Sequence, residues 1–98
     1  MATNVDATGA ELRAIQETID LRDTHVLEIG SGDGRLTFRY AAKTVSVVGL
    51  DVKEFDIRCA VRNRRSELLG KVGFLCASAA ALPFPAGRFD IAIFASSL

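Results

Sequence analysis

Leu27-Glu28-Ile29-Gly30-Ser31-Gly32-Asp33-Gly34 is the stretch on which the fold of this chain turns. The residues leading into it, His25 to Ile29, have the apolar, β-branched character of a short strand, with an acidic residue one position before the end. Three alternate glycines follow, and an amphipathic segment begins at Arg35. Glycine tolerates positive φ and has no Cβ, so such a loop turns sharply and lets its backbone lie directly against a ligand. The arrangement predicts a nucleotide-cofactor loop. The next acidic landmark, Asp51, closes a second apolar run, Val45 to Leu50. It falls roughly 20 residues beyond the loop, the spacing at which a βαβ unit sets a carboxylate against a ribose hydroxyl pair.

The glycine spacing then separates cofactor classes. A dinucleotide fingerprint, G-x-G-x-x-G, needs glycine where Arg35 stands, and a P-loop needs a Gly-Lys-Ser/Thr that is absent. What remains is Glu-x-Gly-x-Gly-x-Gly, starting at Glu28. The run Val26-Leu-Glu-Ile-Gly-Ser-Gly-Asp-Gly-Arg-Leu-Thr37 resembles the first motif of class I S-adenosylmethionine-dependent methyltransferases. Asp51 matches that family's acidic residue at the end of the second strand. Leu82-Pro83-Phe84-Pro85-Ala86-Gly87-Arg88-Phe89-Asp90-Ile91 resembles the LPFP…FD segment of its small-molecule members, such as those of quinone biosynthesis. Three ordered motifs carry more weight than one glycine loop, and the resemblance runs from residue 26 to residue 98.

The resemblance implies S-adenosylmethionine as cofactor and a role for each matching residue. Glu28 is expected under the loop, reaching the methionyl ammonium directly or through water. Gly30, Ser31, Gly32 and Gly34 would admit the methionyl portion, and Asp33 is expected to cap the following helix. Asp51 would accept from the ribose hydroxyls, and Val52 would pack on the adenine face. Ser78 stands where the family often has an aspartate for the adenine amino group; serine accepts that bond without a charge, and Ala79 offers a backbone N–H to a ring nitrogen. Acceptor-binding groups in this family come largely from loops after strands four and five, so no catalytic residue is assigned. The chemistry implied needs no protein-bound metal. Two other readings stay open: a truncated or non-catalytic module that binds the cofactor without turnover, and half of an NAD(P)-dependent oxidoreductase, against which Arg35 argues.

Composition agrees with a soluble globular piece. Twelve basic and 12 acidic residues balance among 98, and 49% are hydrophobic, with no apolar run long enough to span a bilayer. Neither a nucleic-acid binder nor a membrane protein is expected, and the partner implied is a small-molecule methyl acceptor. Met1 to Asp6 shows no basic region followed by an apolar core, so no secretory signal is legible and a cytoplasmic location is expected. Cys59 and Cys76 lack a CxxC pairing and read as buried, reduced thiols. Arg58, Arg62 and Arg65 share a helical face, read as solvated between Glu54 and Glu67. His25 receives no catalytic role.

Along the chain, Thr8 and Glu11 form a capping-box signal for a helix with Leu12, Ile15 and Ile19 on one face, so residues 1–24 read as an N-terminal helical segment and 25–98 as the cofactor-binding core. Strands are predicted at 25–29, 45–50, 72–76 and 89–95, and helices at 33–43, with Leu36, Tyr40 and Ala41 inward, and at 54–69, stopped by Gly70. The alternation predicts one domain: a Rossmann-like parallel sheet in order 3-2-1-4 with helices on both faces, ending after strand four. In that order the outer edge of the apolar fourth strand has no partner. Self-association through it is the expectation.

Overall fold

The computed structural model describes residues 3–7, 20–85 and 87–95, the first five by backbone only. In chain order the elements are β1 (Thr3–Ala7), β2 (His25–Ile29), α1 (Arg35–Tyr40), β3 (Ser46–Asp51), α2 (Glu54–Asn63), β4 (Val72–Cys76) and β5 (Ile91–Ala95), with single turns of 3-10 helix at Ala41–Lys43, Ser66–Leu68 and Ala79–Ala81. The strands form one parallel sheet in the order β1-β5-β2-β3-β4. The four predicted strands therefore stand in their predicted order. The fifth, β1, was not foreseen.

That fifth strand corrects the expectation of a bare edge. Thr3–Ala7 pairs in parallel with Ile91–Ala95, residue for residue, so the backbone of β5 is bonded on both sides. Self-association through an open β5 edge loses its physical basis, because no unpaired ladder remains there to template a second chain. The capping box at Thr8 and the apolar face at Leu12, Ile15 and Ile19 lie outside the described residues.

Parallel pairing forces long crossovers, and right-handedness decides their sides. The connections β2-α1-β3 and β3-α2-β4 advance in one direction and share a face. Val26, Val47, Val72, Ile91 and Ile93 on that face are buried with Tyr40 and Ala41 of the first crossover and Leu68 of the second. The return from β4 to β5 runs the opposite way and crosses the other face. There Phe84 and Phe89 meet edge to face, 5.2 Å between centroids, over Leu27 and Leu50. Among the described residues no helix is long and apolar enough to cross a membrane.

Element ends moved for identifiable reasons. The helix predicted over 54–69 stops at Asn63, because Arg64 adopts extended backbone and its guanidinium donates to the Val72 carbonyl at 2.7 Å. Leu68 then folds back into the core through its own 3-10 turn. The predicted helix over 33–43 divides into α1 and the turn at Ala41–Lys43. Phe89 packs ahead of β5 instead of opening it, because Asp90 is held by a reciprocal pair of 2.8 Å bonds with His25: Asp90 N–H to the His25 carbonyl, and His25 N–H to the Asp90 carboxylate. Both thiols are free, but Cys76 is exposed at the end of an edge strand and Cys59 only half-buried, so neither is the buried thiol expected.

Candidate functional site

All the strands are parallel, so their carboxyl ends form one rim, and the chain reverses its direction of travel across the sheet between β2 and β5. Ligands of open α/β sheets bind in the crevice at that switch. The glycine loop leaves β2 there. Gly30, Gly32 and Gly34 all have positive φ, at 82°, 56° and 88°, a region that side chains with a Cβ occupy at a cost. Gly30 also passes so close to the end of β5 that a Cβ would overlap the Ala95 carbonyl oxygen. Around Gly32 the opposite holds, since an added Cβ would meet nothing within 4 Å.

β3 holds the loop in place. Gly30 N–H and Ser31 N–H both donate to the Leu50 carbonyl, at 2.8 and 2.9 Å, and Gly34 N–H donates to the Ser31 carbonyl at 3.0 Å. One oxygen of Asp51 accepts from Gly32 N–H at 2.9 Å, and its other oxygen accepts from Lys53 N–H at 2.9 Å. Asp51 thus fastens the loop to the turn that opens α2. A carboxylate has about four lone-pair sites, so two backbone donors leave it able to accept further bonds. Sequence reasoning singled out Asp51 but did not see this tie to Gly32.

Glu28 is placed differently from its neighbours. Its side chain is 0% exposed and turned onto the helix-covered face, where Thr37 Oγ1 donates to Oε1 at 2.9 Å and Tyr40 O–H donates to the same oxygen. Oε2 has no partner among the described residues. Loss of water raises its carboxyl pKa from 4.5 to about 7, and the two hydroxyl donors only partly oppose the rise. The Tyr40 hydroxyl is pushed well above its ordinary value, first by burial and then by the neighbouring carboxylate. Thr37 and Tyr40 were not identified as its partners from sequence. The legible signal was their separation of three residues on a helix, which puts both on one face.

The remaining candidates lie farther along the rim. Val52 is 67% exposed, so it is not ordinary core. Ser78 and Ala79 are also exposed; Ser78 Oγ accepts from Ala80 N–H at 3.1 Å, capping the 3-10 turn that Ala79 begins. Ala77 N–H donates to the Asp51 carbonyl at 3.1 Å, which fixes the start of this segment beside β3. Asp33 Oδ1 accepts from Arg35 N–H at 3.2 Å, but Gly34 is the N-cap of α1 and no side chain caps it, so Asp33 closes a local turn ahead of the helix and is not the cap expected. The structure brings Gly30, Ser31, Gly32, Gly34 and Asp51 into one bonded unit, sets Glu28 beneath it, and spaces Val52, Ser78 and Ala79 along the adjoining strand ends.

Comparison with known proteins agrees with this architecture. A family model described as a methyltransferase domain matches residues 26–98. Demethylmenaquinone methyltransferase of Thermus thermophilus is 37% identical over 89 residues, which cover 84% of this chain and 40% of that protein. The crystal structure of the YcgJ protein of Bacillus subtilis superposes with a TM-score of 0.77 at 26% identity, over 85% of this chain and 36% of the other. The [4+2]-cyclase SpnF superposes with a TM-score of 0.72 at 27% identity, over 83% of this chain and 31% of the other. The chain thus spans about a third to two fifths of the length of these relatives.

Proposed function

We propose, on the premise that this chain belongs to the class I S-adenosylmethionine-dependent methyltransferases, that it forms the cofactor-binding half of such an enzyme and holds S-adenosylmethionine at the switch between β2 and β5. The observation that carries this reading is the bonded unit of three positive-φ glycines, the Leu50 carbonyl and the Asp51 carboxylate. The residues fit the group. The open space at Gly32 admits the methionyl portion beside Gly30, Ser31 and Gly34, and the spare lone pairs of Asp51 suit a ribose diol. Val52 supplies an exposed apolar face for adenine, and Ser78 Oγ and Ala79 N–H supply polar contacts at its edge. Glu28, expected to reach the methionyl ammonium, is enclosed beneath the loop with no exposed atom to offer it; its contribution is to hold Thr37 and Tyr40 of α1 under the loop.

When bound, the cofactor supplies a methyl group made electrophilic by its sulfonium. The chain's own contribution is to orient the cofactor and shield one side of it from water. The acceptor is a small molecule, a class supported by the name of the Thermus relative, and the free thiols Cys59 and Cys76 suit the reducing cytoplasm. Calorimetry with S-adenosylmethionine, S-adenosylhomocysteine and NAD is the test: the first two should bind and NAD should not. NAD binding as tight as either would overturn the assignment.

A second reading, binding without methyl transfer, is favoured by one observation. SpnF shares this fold yet is a cyclase, so the fold does not by itself fix the reaction. Methyl transfer to any acceptor would exclude this reading.

A further inference from the structure

The glycine loop is supported from beneath by a side chain outside every motif described above. Glu28, Gly49 and Phe74 are direct neighbours across β2, β3 and β4. Gly49 presents no side chain in that row, and the Phe74 ring leans into the space: a methyl on Gly49 would lie 2.7 Å from Phe74 Cδ1, 2.9 Å from its Cε1 and 2.9 Å from Ser31 Cβ. The far end of the same ring reaches the last glycine of the loop, since a methyl on Gly34 would lie 3.1 Å from Phe74 Cζ and 2.8 Å from Phe38 Cε2. Phe38 meets Phe74 edge to face, with centroids 5.7 Å apart and planes at 81°. An aromatic ring laid over a glycine in a neighbouring strand is a known way of filling the gap a missing side chain leaves. Here the ring spans two glycines, one in the sheet and one in the loop.

We propose that Phe74 is a positioning residue for the cofactor loop: wedged between Gly49 and Gly34 and braced by Phe38, it sets the height of Ser31 to Gly34 above the sheet. The absence of a side chain at Gly49 is then a requirement of the loop as much as of the strand. The hydrogen bonds from Gly32 N–H to Asp51 and from Gly34 N–H to the Ser31 carbonyl depend on that height, so the prop and the bonds act together. The consequence for ligand affinity rests on the cofactor reading given above; the effect on the loop does not.

The test is amide hydrogen exchange on the whole chain, with Val47 N–H, bonded to the Lys71 carbonyl at 3.0 Å, as internal reference. In Phe74→Leu, exchange at Gly32 and Gly34 should rise about tenfold relative to Val47. Gly49→Ala should do the same by displacing the ring, and the double variant should lie closer to the parent than the sum of the two, because the smaller leucine makes room for the added methyl. Val72→Ala, a core change on the same strand, should lower stability without a selective rise at the glycines. Calorimetry with S-adenosylhomocysteine adds the functional readout, with Phe74→Leu binding about tenfold more weakly than the parent. Uniform exchange changes across all amides, or unchanged glycine amides in both single variants, would overturn the proposal. So would equal ligand affinity in parent and variant. A parent that does not bind the ligand would defeat the cofactor reading, while the exchange data would still decide the role of Phe74.

Discussion

Replacing Glu28 with glutamine should abolish a pH dependence of stability that the parent carries through this one side chain. In the folded chain Glu28 is enclosed, with two hydroxyl donors on Oε1 and none of the described residues on Oε2. Facing it are Thr37 and Tyr40 from α1, with Gly49 and Ile93 beside it on the neighbouring strands, and no cation is among them. Its pKa rises from 4.5 to about 7. Below pH 4.5 both the folded and the unfolded chain hold the proton, and burial of the neutral acid carries no charge penalty. Between the two values the unfolded chain ionises first and the folded chain keeps its proton, so stability falls as pH rises. The loss is complete above pH 7. At about 1.4 kcal/mol per pH unit, the rise from 4.5 to about 7 corresponds to about 3 kcal/mol of stability present at pH 4 and gone at pH 8. Glutamine cannot ionise, so the variant should lack this slope. It should start with a pH-independent loss, because its amide nitrogen would occupy the unpartnered position. Urea unfolding of parent and variant at pH 5, 6, 7 and 8 measures the difference, and titrations common to both cancel. If the two stability curves run parallel from pH 5 to pH 8, Glu28 is not the buried acid described.

The other predictions concern the loop and the sheet edge. Asp51→Ala should weaken S-adenosylhomocysteine binding by about 1.5–3 kcal/mol or more, the scale of a charge-assisted bond, while leaving β3 paired; calorimetry beside circular dichroism reads both, and parental affinity in a folded variant would remove the ribose role. Gly32→Val should lose stability, because a β-branched residue is strained at this positive φ, and its folded fraction should lose binding in the same assay, because its side chain would enter the open space assigned to the methionyl group. Val5→Pro should break the β1 ladder and expose the outer side of β5, giving oligomers in sedimentation; a monodisperse variant would show that β1 is not what protects that edge.

The parts of the molecule legible in sequence are those whose signals are local. Gly30, Gly32 and Gly34 announce positive φ, Asp51 falls at a telling distance from them, and the apolar runs at 25–29, 45–50, 72–76 and 89–95 each mark a strand to within two residues. What was missed depends on residues distant in the chain. Thr3–Ala7 has no strong strand pattern of its own and becomes a strand because Ile91–Ala95 offers it a ladder. The end of α2 at Asn63 follows from the bond between Arg64 and the Val72 carbonyl, not from a helix-stop residue. Glu28 was recognised as important, but its enclosure by Thr37 and Tyr40 required the helix to be docked on the sheet. Phe74 is one apolar residue of a strand in the sequence, and only the folded sheet brings Gly49 and Gly34 against its ring.

The pairing of β1 with β5 also governs the order in which the sheet can form during synthesis. β5 is the last of these strands to emerge from the ribosome, yet it lies between β1 and β2. Until Ile91–Ala95 has been made, Thr3–Ala7 has no ladder to join, and β2 is bonded on one side only. The nascent chain can assemble β2, β3 and β4 in sequence. Admission of β1 waits for β5, a contact between residues far apart in sequence, Thr3 with Ile91, and correspondingly slow to close. Among these strands the β1–β5 ladder is therefore a late one, and the switch beside Gly30, which needs β5 against β2, cannot form before β5 has been made either.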